Sequence, residues 1–254
     1  MRTIAGIILG AILCSASISR AGNDVPAEAW FEKANGFYNQ QQFDSALIYY
    51  EKTLQAGAVN AGVLYNLGNA CYRLKKIGLA ILNFEKARRL SPKDPDINAN
   101  IKFANANITD KITAPDQSFF EVILWQLHTL FPLNTQLWLL FFLLMLLAAL
   151  FTLGLFSAHN TRLWIIYGGT ITLLLIAGLG ISVGYKVFQS ENVSYAIVLS
   201  ESVDAKNQPR GPKIIFTAHE GTKFRIHQQI EGWCQVSLPN GTMGWVEESA
   251  LGKI

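Results

Sequence analysis

The sequence predicts a multi-domain α and β chain: an α-helical solenoid, a two-helix transmembrane hairpin and a small all-β barrel. Three observations carry this reading. Charge is distributed in blocks, residues 30–87 repeat with a 34-residue spacing, and after Lys186 the hydrophobic pattern shortens from helical to strand-like. Only 15% of the 254 residues are charged, against about 25% in ordinary soluble domains. Yet residues 22–121 hold 11 basic and 11 acidic side chains and residues 186–254 hold 7 of each, whereas residues 122–185 hold Arg162 alone. Two normally charged, neutral segments therefore flank an uncharged one. A net charge of +3 is too small to indicate a nucleic-acid partner.

The chain begins with Arg2, an apolar run from Thr3 to Leu13, and small or polar residues up to Ala21. This predicts a signal peptide over residues 1–21, with cleavage between Ala21 and Gly22. An uncleaved anchor is the alternative; either one exports the segment from Gly22 onward. Leu13 before Cys14 does not fit lipoprotein processing.

Residues 22–112 are predicted to be helical repeats. Trp30, Ala34, Tyr38, Ala46 and Tyr50 recur 34 residues later as Leu64, Gly68, Tyr72, Ala80 and Phe84. Small residues let paired helices approach, and aromatics fill the space between units. Ser91-Pro92 closes the second unit, and residues 96–110 are expected to form a helix that caps the apolar end of the stack. The stretch Leu64-Tyr65-Asn66-Leu67-Gly68-Asn69-Ala70-Cys71-Tyr72 resembles the tetratricopeptide repeat. The resemblance implies a groove, lined by the first helix of each unit, that binds an extended peptide. Its candidate residues here are Phe31, Asn35, Tyr38, Tyr65, Asn66, Asn69 and Tyr72. A subclass of these repeats grips a carboxy-terminal carboxylate with asparagines and cations. Asn35 and Asn66 match it, but Phe31, Asp96 and Asn100 stand where the cations belong, so that clamp is not expected. The asparagines are equally common as repeat residues without a fixed ligand.

Ala114-Pro115 breaks the pattern, and residues 113–132 are read as a linker or juxtamembrane segment. Residues 133–156 and 163–185 each hold about 20 apolar residues, enough to cross a ~30 Å hydrocarbon core, and in lipid such segments must be helical. Trp125, Trp138, Trp164 and Tyr185 lie near their ends, as interfacial aromatics do. Residues 157–162 form the connection, read as a cytoplasmic loop because the amino-terminal domain is expected to be exported, and Arg162 agrees with that orientation. Gly168, Gly169, Gly178, Gly180 and Gly184 are candidates for close helix contact. The spans carry no Asp, Glu or Lys, which argues against an ion path.

Within residues 190–254, short β-prone segments at 195–198, 223–226, 233–236 and 244–246 alternate with turn-rich stretches. Glu220-Gly221-Thr222-Lys223, Gly232-Trp233-Cys234-Gln235-Val236 and Gly241-x-x-Gly244-Trp245-Val246 resemble bacterial SH3 domains. The resemblance implies binding of cell-wall peptides or protein segments, with Trp233 and Trp245 as candidate contacts and the loop from Leu199 to Pro212 as a recognition loop.

No catalytic motif is visible. The four histidines are scattered, no Cys-x-x-Cys or His-x-x-x-His spacing occurs, and Cys71 and Cys234 fall in different domains, so neither zinc nor a disulfide framework is expected. The expectation is a non-enzymatic protein without catalytic residues, metal or cofactor. The order of parts resembles the BatE-like tetratricopeptide/SH3 membrane proteins of the aerotolerance (Bat) operon. That resemblance implies a scaffold in the bacterial inner membrane with both soluble domains periplasmic. It would work beside von Willebrand-type membrane proteins and a MoxR-type ATPase, in oxygen or stress tolerance. A cell-wall (peptidoglycan) sensor is the alternative function, and an unrecognised envelope enzyme a third.

Overall fold

A computed structural model describes residues 26–112 and 118–254. The signal-peptide reading and Ala114-Pro115 lie outside the described residues. Four helices form two antiparallel pairs: α1 (Ala27–Asn39) with α2 (Phe43–Gln55), and α3 (Ala61–Arg73) with α4 (Ile77–Leu90). Their starts are offset by 34 residues, and so are the turns inside them. The Gln42 and Lys76 N–H groups donate to the Phe37 and Cys71 carbonyls, and those of Gln41 and Lys75 donate to Tyr38 and Tyr72. Gln41 and Lys75 both have φ of 61°, the left-handed residue that ends a helix while satisfying its last carbonyls. Asn60 caps α3 by accepting from Val63 N–H.

Packing repeats as well. The Phe31 and Tyr50 rings lie 6.0 Å apart, and the equivalent Tyr65 and Phe84 rings 5.9 Å apart. A Cβ on Gly68 would stand 2.6 Å from the Phe84 ring, which explains the small residue there. Helix α5 (Pro95–Ala106) comes next, with Asp94 accepting from the Asp96 and Ile97 N–H groups and Pro95 in the first turn. It buries Ile97, Ile101 and Ala104 against the second pair.

The segment expected as a linker carries a helix, α6 (Phe119–Leu130), started by a reciprocal capping box. Glu121 N–H donates to Ser118 Oγ, and Ser118 N–H donates to the Glu121 carboxylate. Beyond it lie two long apolar helices, α7 (Leu133–Phe156) and α8 (His159–Asn192). Both are long and apolar enough to cross a membrane, over Leu133–Phe156 and Thr161–Phe188. At ~1.5 Å per residue, the 24 residues of α7 reach about 36 Å. The link between them is shorter than the expected 157–162, because α8 begins at His159. Helix α8 also continues past 185, since backbone hydrogen bonding does not stop where the apolar run does. Of the glycines expected to bring the helices together, Gly168 does so, facing Leu150. Gly154 on α7 faces Ile165, and Gly169, Gly178, Gly180 and Gly184 face open space.

The chain ends in a seven-stranded antiparallel sheet of order β3-β2-β6-β5-β4-β1-β7. Its strands are β1 (Ser194–Val198), β2 (Ser202–Lys206), β3 (Ile214–His219), β4 (Lys223–Ile230), β5 (Trp233–Ser237), β6 (Met243–Glu247) and β7 (Leu251–Lys253). The edge strands β3 and β7 do not pair, so the sheet is unclosed where the sequence reading expected a barrel. Strand β2 occupies the supposed recognition loop, pairing with β3 along its length and with β6 through Lys206 and Trp245. Cys234, Val236 and Val246 point inward with Ala196, Val198 and Phe224.

Solenoid and sheet share a boundary. Ile197 belongs to the same buried cluster as Ile81, Leu82 and Phe84, with Leu199 and Ile254 against it. The approach is close enough that a Cβ on Gly78 would stand 2.6 Å from the Val198 carbonyl oxygen, and one on Gly252 would stand 2.5 Å from Leu82. Gly78 N–H donates to Glu220 (2.7 Å). Asp110, beyond α5, accepts from His219 N–H (2.8 Å) and Thr222 Oγ1 (2.6 Å) and pairs with His219 Nδ1 (2.8 Å). This contact puts the solenoid and the sheet on one side of any bilayer that α7 and α8 cross.

Candidate functional site

The residues proposed for the groove sit on α1 and α3, which present one polar side each because the opposite side packs on α2 and α4. Asparagine amides link successive helices along that face. Asn66 Nδ2 donates to Asn35 Oδ1 (3.1 Å), and Asn100 Nδ2 donates to Asn69 Oδ1 (2.8 Å). The same bond is thus made twice, one repeat apart. Tyr50 Oη also donates to Asn35 Oδ1 (2.7 Å). Burial pushes the Tyr50 phenol up to about 12, so it remains a neutral donor near neutral pH.

Around these bonds lies a cavity of about 380 Å³ lined by Asn35, Tyr38, Asn39, Tyr50 and Asn66. Its lining is uncharged, so it offers hydrogen bonding and shape rather than ion pairing. Asn35 and Asn66 each use one amide atom in holding the frame. Among the described residues, Asn35 Nδ2 and Asn66 Oδ1 make no hydrogen bond, so these two cavity-lining residues keep one donor and one acceptor in hand. Extended peptide backbone offers the complementary pair.

The expected groove residues divide accordingly. Asn35, Tyr38 and Asn66 meet in the cavity, with Phe31 packed behind it on Tyr50. Tyr65 and Asn69 instead engage Asn100 of the cap, and Tyr72 accepts from Asn107 and packs on Phe103. Asn39 and Tyr50 are additions that the sequence reading did not include. Asn39 is visible only as the residue before the turn, and Tyr50 reads as packing until its hydroxyl is seen reaching Asn35.

On the sheet, Trp233 and Trp245 lie on the strand face opposite Cys234, Val236 and Val246, by the alternation of a strand. Trp233 is buried, with Lys206 Nζ 5.3 Å from its ring centroid, whereas Trp245 is half-buried. Cys71 and Cys234 are free and buried. Burial pushes the Cys71 thiol up to about 12 and raises that of Cys234 too, so neither is poised as a nucleophile.

Residues 61–94 match the family model of the tetratricopeptide repeat. No curated protein matches the chain. The matched residues are α3, α4 and the closing Ser91-Pro92, and α1 and α2 reproduce the same frame one unit earlier. The chain therefore contains a tetratricopeptide repeat, a module that points to protein partners.

Proposed function

We propose that this protein is a membrane-anchored, non-enzymatic scaffold that holds an extended segment of a partner protein on the α1/α3 face. The carrying observation is the uncharged cavity at Asn35, Tyr38 and Asn66, whose asparagines are fixed by each other and still offer a donor and an acceptor. Two apolar helices next to the repeats support the anchor, packing of sheet against solenoid supports a single unit on one side of the membrane, and the signal-peptide reading makes that side the periplasmic one. The sheet is read as an SH3-type module, in which Trp245 meets a second protein or peptidoglycan. The order of parts supports a place in an aerotolerance or envelope-stress system of the Bat type, with von Willebrand-type membrane proteins as partners. Against a wall sensor signalling inward, the link Ser157-Ala158 between α7 and α8 leaves no room for an output domain.

A photocrosslinking residue at position 38 of the full chain, in native membranes, tests the groove. It should capture a discrete partner, and capture should fall at least about tenfold when Asn35 and Asn66 are both changed to alanine, as expected from losing two hydrogen bonds. Capture that is equal in that variant, or equal from position 48 on the outer face, retires the groove.

A further inference from the structure

A second cleft, of about 300 Å³, lies where the end of α4, the end of α8 and the sheet converge. Arg88 and Arg89 reach it from α4, Lys186 from α8 and Lys223 from β4, with Glu85 and Tyr195 beside them. Glu85 pairs with both Arg88 and Lys223, the latter at 3.0 Å. Lys223 Nζ also lies 4.8 Å from the centroid of the Tyr195 ring. Arg89 and Lys186 are placed differently. Arg89 donates to the main-chain oxygen of Ile254 (2.6 Å), and Lys186 donates to the Phe131 carbonyl. Among the described residues, neither meets a side-chain carboxylate, and the Ile254 oxygen that Arg89 meets belongs to the final residue of the sequence. Arginines in the last turn of α4 are partly explained by the negative end of the helix dipole, about half a unit charge. Even with a full negative charge counted at Ile254, that dipole and Glu85 still leave the four cations with a positive surplus.

The location of the cleft says which anion fits. Lys186 stands at the end of the apolar stretch Thr161–Phe188, where a lysine reaches out of hydrocarbon to the headgroup layer. Next to it, the His128 ring contacts Trp125 and Tyr185 at 5.5 and 5.2 Å, an aromatic cluster of the kind that marks the interface.

We propose that this cleft binds the phosphate of an anionic phospholipid headgroup between Arg89 and Lys186, with Arg88 and Lys223 alongside. The proposal rests on the membrane-anchored reading above. A zwitterionic headgroup carries its own ammonium, which these cations repel; an anionic headgroup does not. Bound lipid would tie the solenoid, the sheet and the helix end to the bilayer surface, so the groove keeps a fixed height and orientation above it.

Native mass spectrometry of the full chain in neutral detergent, titrated with phosphatidylglycerol or phosphatidylcholine, tests the site. Phosphatidylglycerol should bind about tenfold more tightly. Arg89→Gln with Lys186→Gln should weaken it about thirtyfold, at about fivefold per cation, while Arg89→Lys with Lys186→Arg retains binding. Lys186→Gln alone, which leaves the solenoid–sheet contacts intact, should cost about fivefold, so the test survives if the Arg89 variant misfolds. Equal binding of phosphatidylcholine, or unchanged affinity in the glutamine variants, overturns the proposal. Displacement of the lipid by inorganic phosphate overturns the lipid source and assigns a soluble phosphate instead. Release of the protein from membranes by alkaline carbonate would overturn the anchored reading and this site with it. Retention without lipid preference overturns the site alone.

Discussion

Helices α2 and α4 hold the same place in successive 34-residue units, yet their outward positions meet different surroundings. Ile48 is 49% exposed, whereas its equivalent Leu82 is 6% exposed under Gly252 and the sheet. Glu51 is exposed, whereas the equivalent Glu85 is buried between Arg88 and Lys223. Tyr49 stacks with Trp30 and Phe37 at the edge of the first unit, with Lys33 and Lys52 over its ring; the equivalent Asn83 is buried and donates to the Leu79 carbonyl. Both ends of a short solenoid have apolar surface to cover, and here they cover it by different means. The first unit uses its own aromatic rings and overlying cations. The second uses α5 on one side and the sheet on the other.

If the sheet is what distinguishes the units, truncating equivalent side chains should separate them widely. Leu82→Ala should cost about 2–5 kcal/mol, because the methyl groups it loses are packed against a rigid neighbour and leave a cavity. Ile48→Ala should stay within about 0.5 kcal/mol. Denaturant unfolding of the full chain in detergent, followed by helical circular dichroism, measures both. Similar costs at the two sites would mean that the sheet adds little to the second unit.

The next contrast is acidic. The carboxyl of Asp110 reaches across to the sheet from beyond α5, and nothing in the first unit does the same. Burial pushes its pKa up, but hydrogen bonds from Thr222, the His219 N–H and the His219 ring, together with the charge on that ring, outweigh burial and hold it below its usual 3.8. With the folded value depressed, the contribution is present above about 3.8 and is lost as pH falls through the lower folded value. Asp110→Asn should cost about 1–2 kcal/mol at neutral pH and flatten the acid limb of the stability profile. An unchanged acid limb in Asp110→Asn would show that docking of the sheet does not depend on this carboxylate.

Much of this contrast is invisible to a reading along the chain. The 34-residue spacing exposes both units, because small and aromatic residues recur wherever helices of a pair touch. The charge gap exposes α7 and α8. Strands β1, β4, β5 and β6 are rich in aromatic and β-branched residues and announce themselves. By contrast, β2 (Ser-Val-Asp-Ala-Lys) and the three-residue β7 exist through their partners, and their composition says little. Helix α6 had a local signal, Ser118-x-x-Glu121 ahead of an apolar run, which the nearby Ala114-Pro115 break obscures. In the site, the asparagines are visible but their bonds are not. Asn35 and Asn66 meet only because two helices and a turn return the chain over 31 residues. Nothing local shows that Gly78 and Leu82 face a sheet that begins more than a hundred residues later.

The smallest effect checks what the two units share. Gln41 and Lys75 are both exposed, carry the same φ of 61° and close the same turn. A side chain in the left-handed region costs about 1–2 kcal/mol relative to the right-handed one, while glycine gives back roughly 0.5–1 kcal/mol through its greater unfolded freedom. Gln41→Gly and Lys75→Gly should therefore each stabilise the protein by about 0.5–1 kcal/mol, and, being far apart, should add in the double variant. Because the strain belongs to the turn and not to its surroundings, the two gains should agree within about 0.5 kcal/mol. A clearly larger gain at Lys75 would mean that docking of α4 on the sheet tightens the turn that precedes it, and the contrast between the units would then reach into the frame they share.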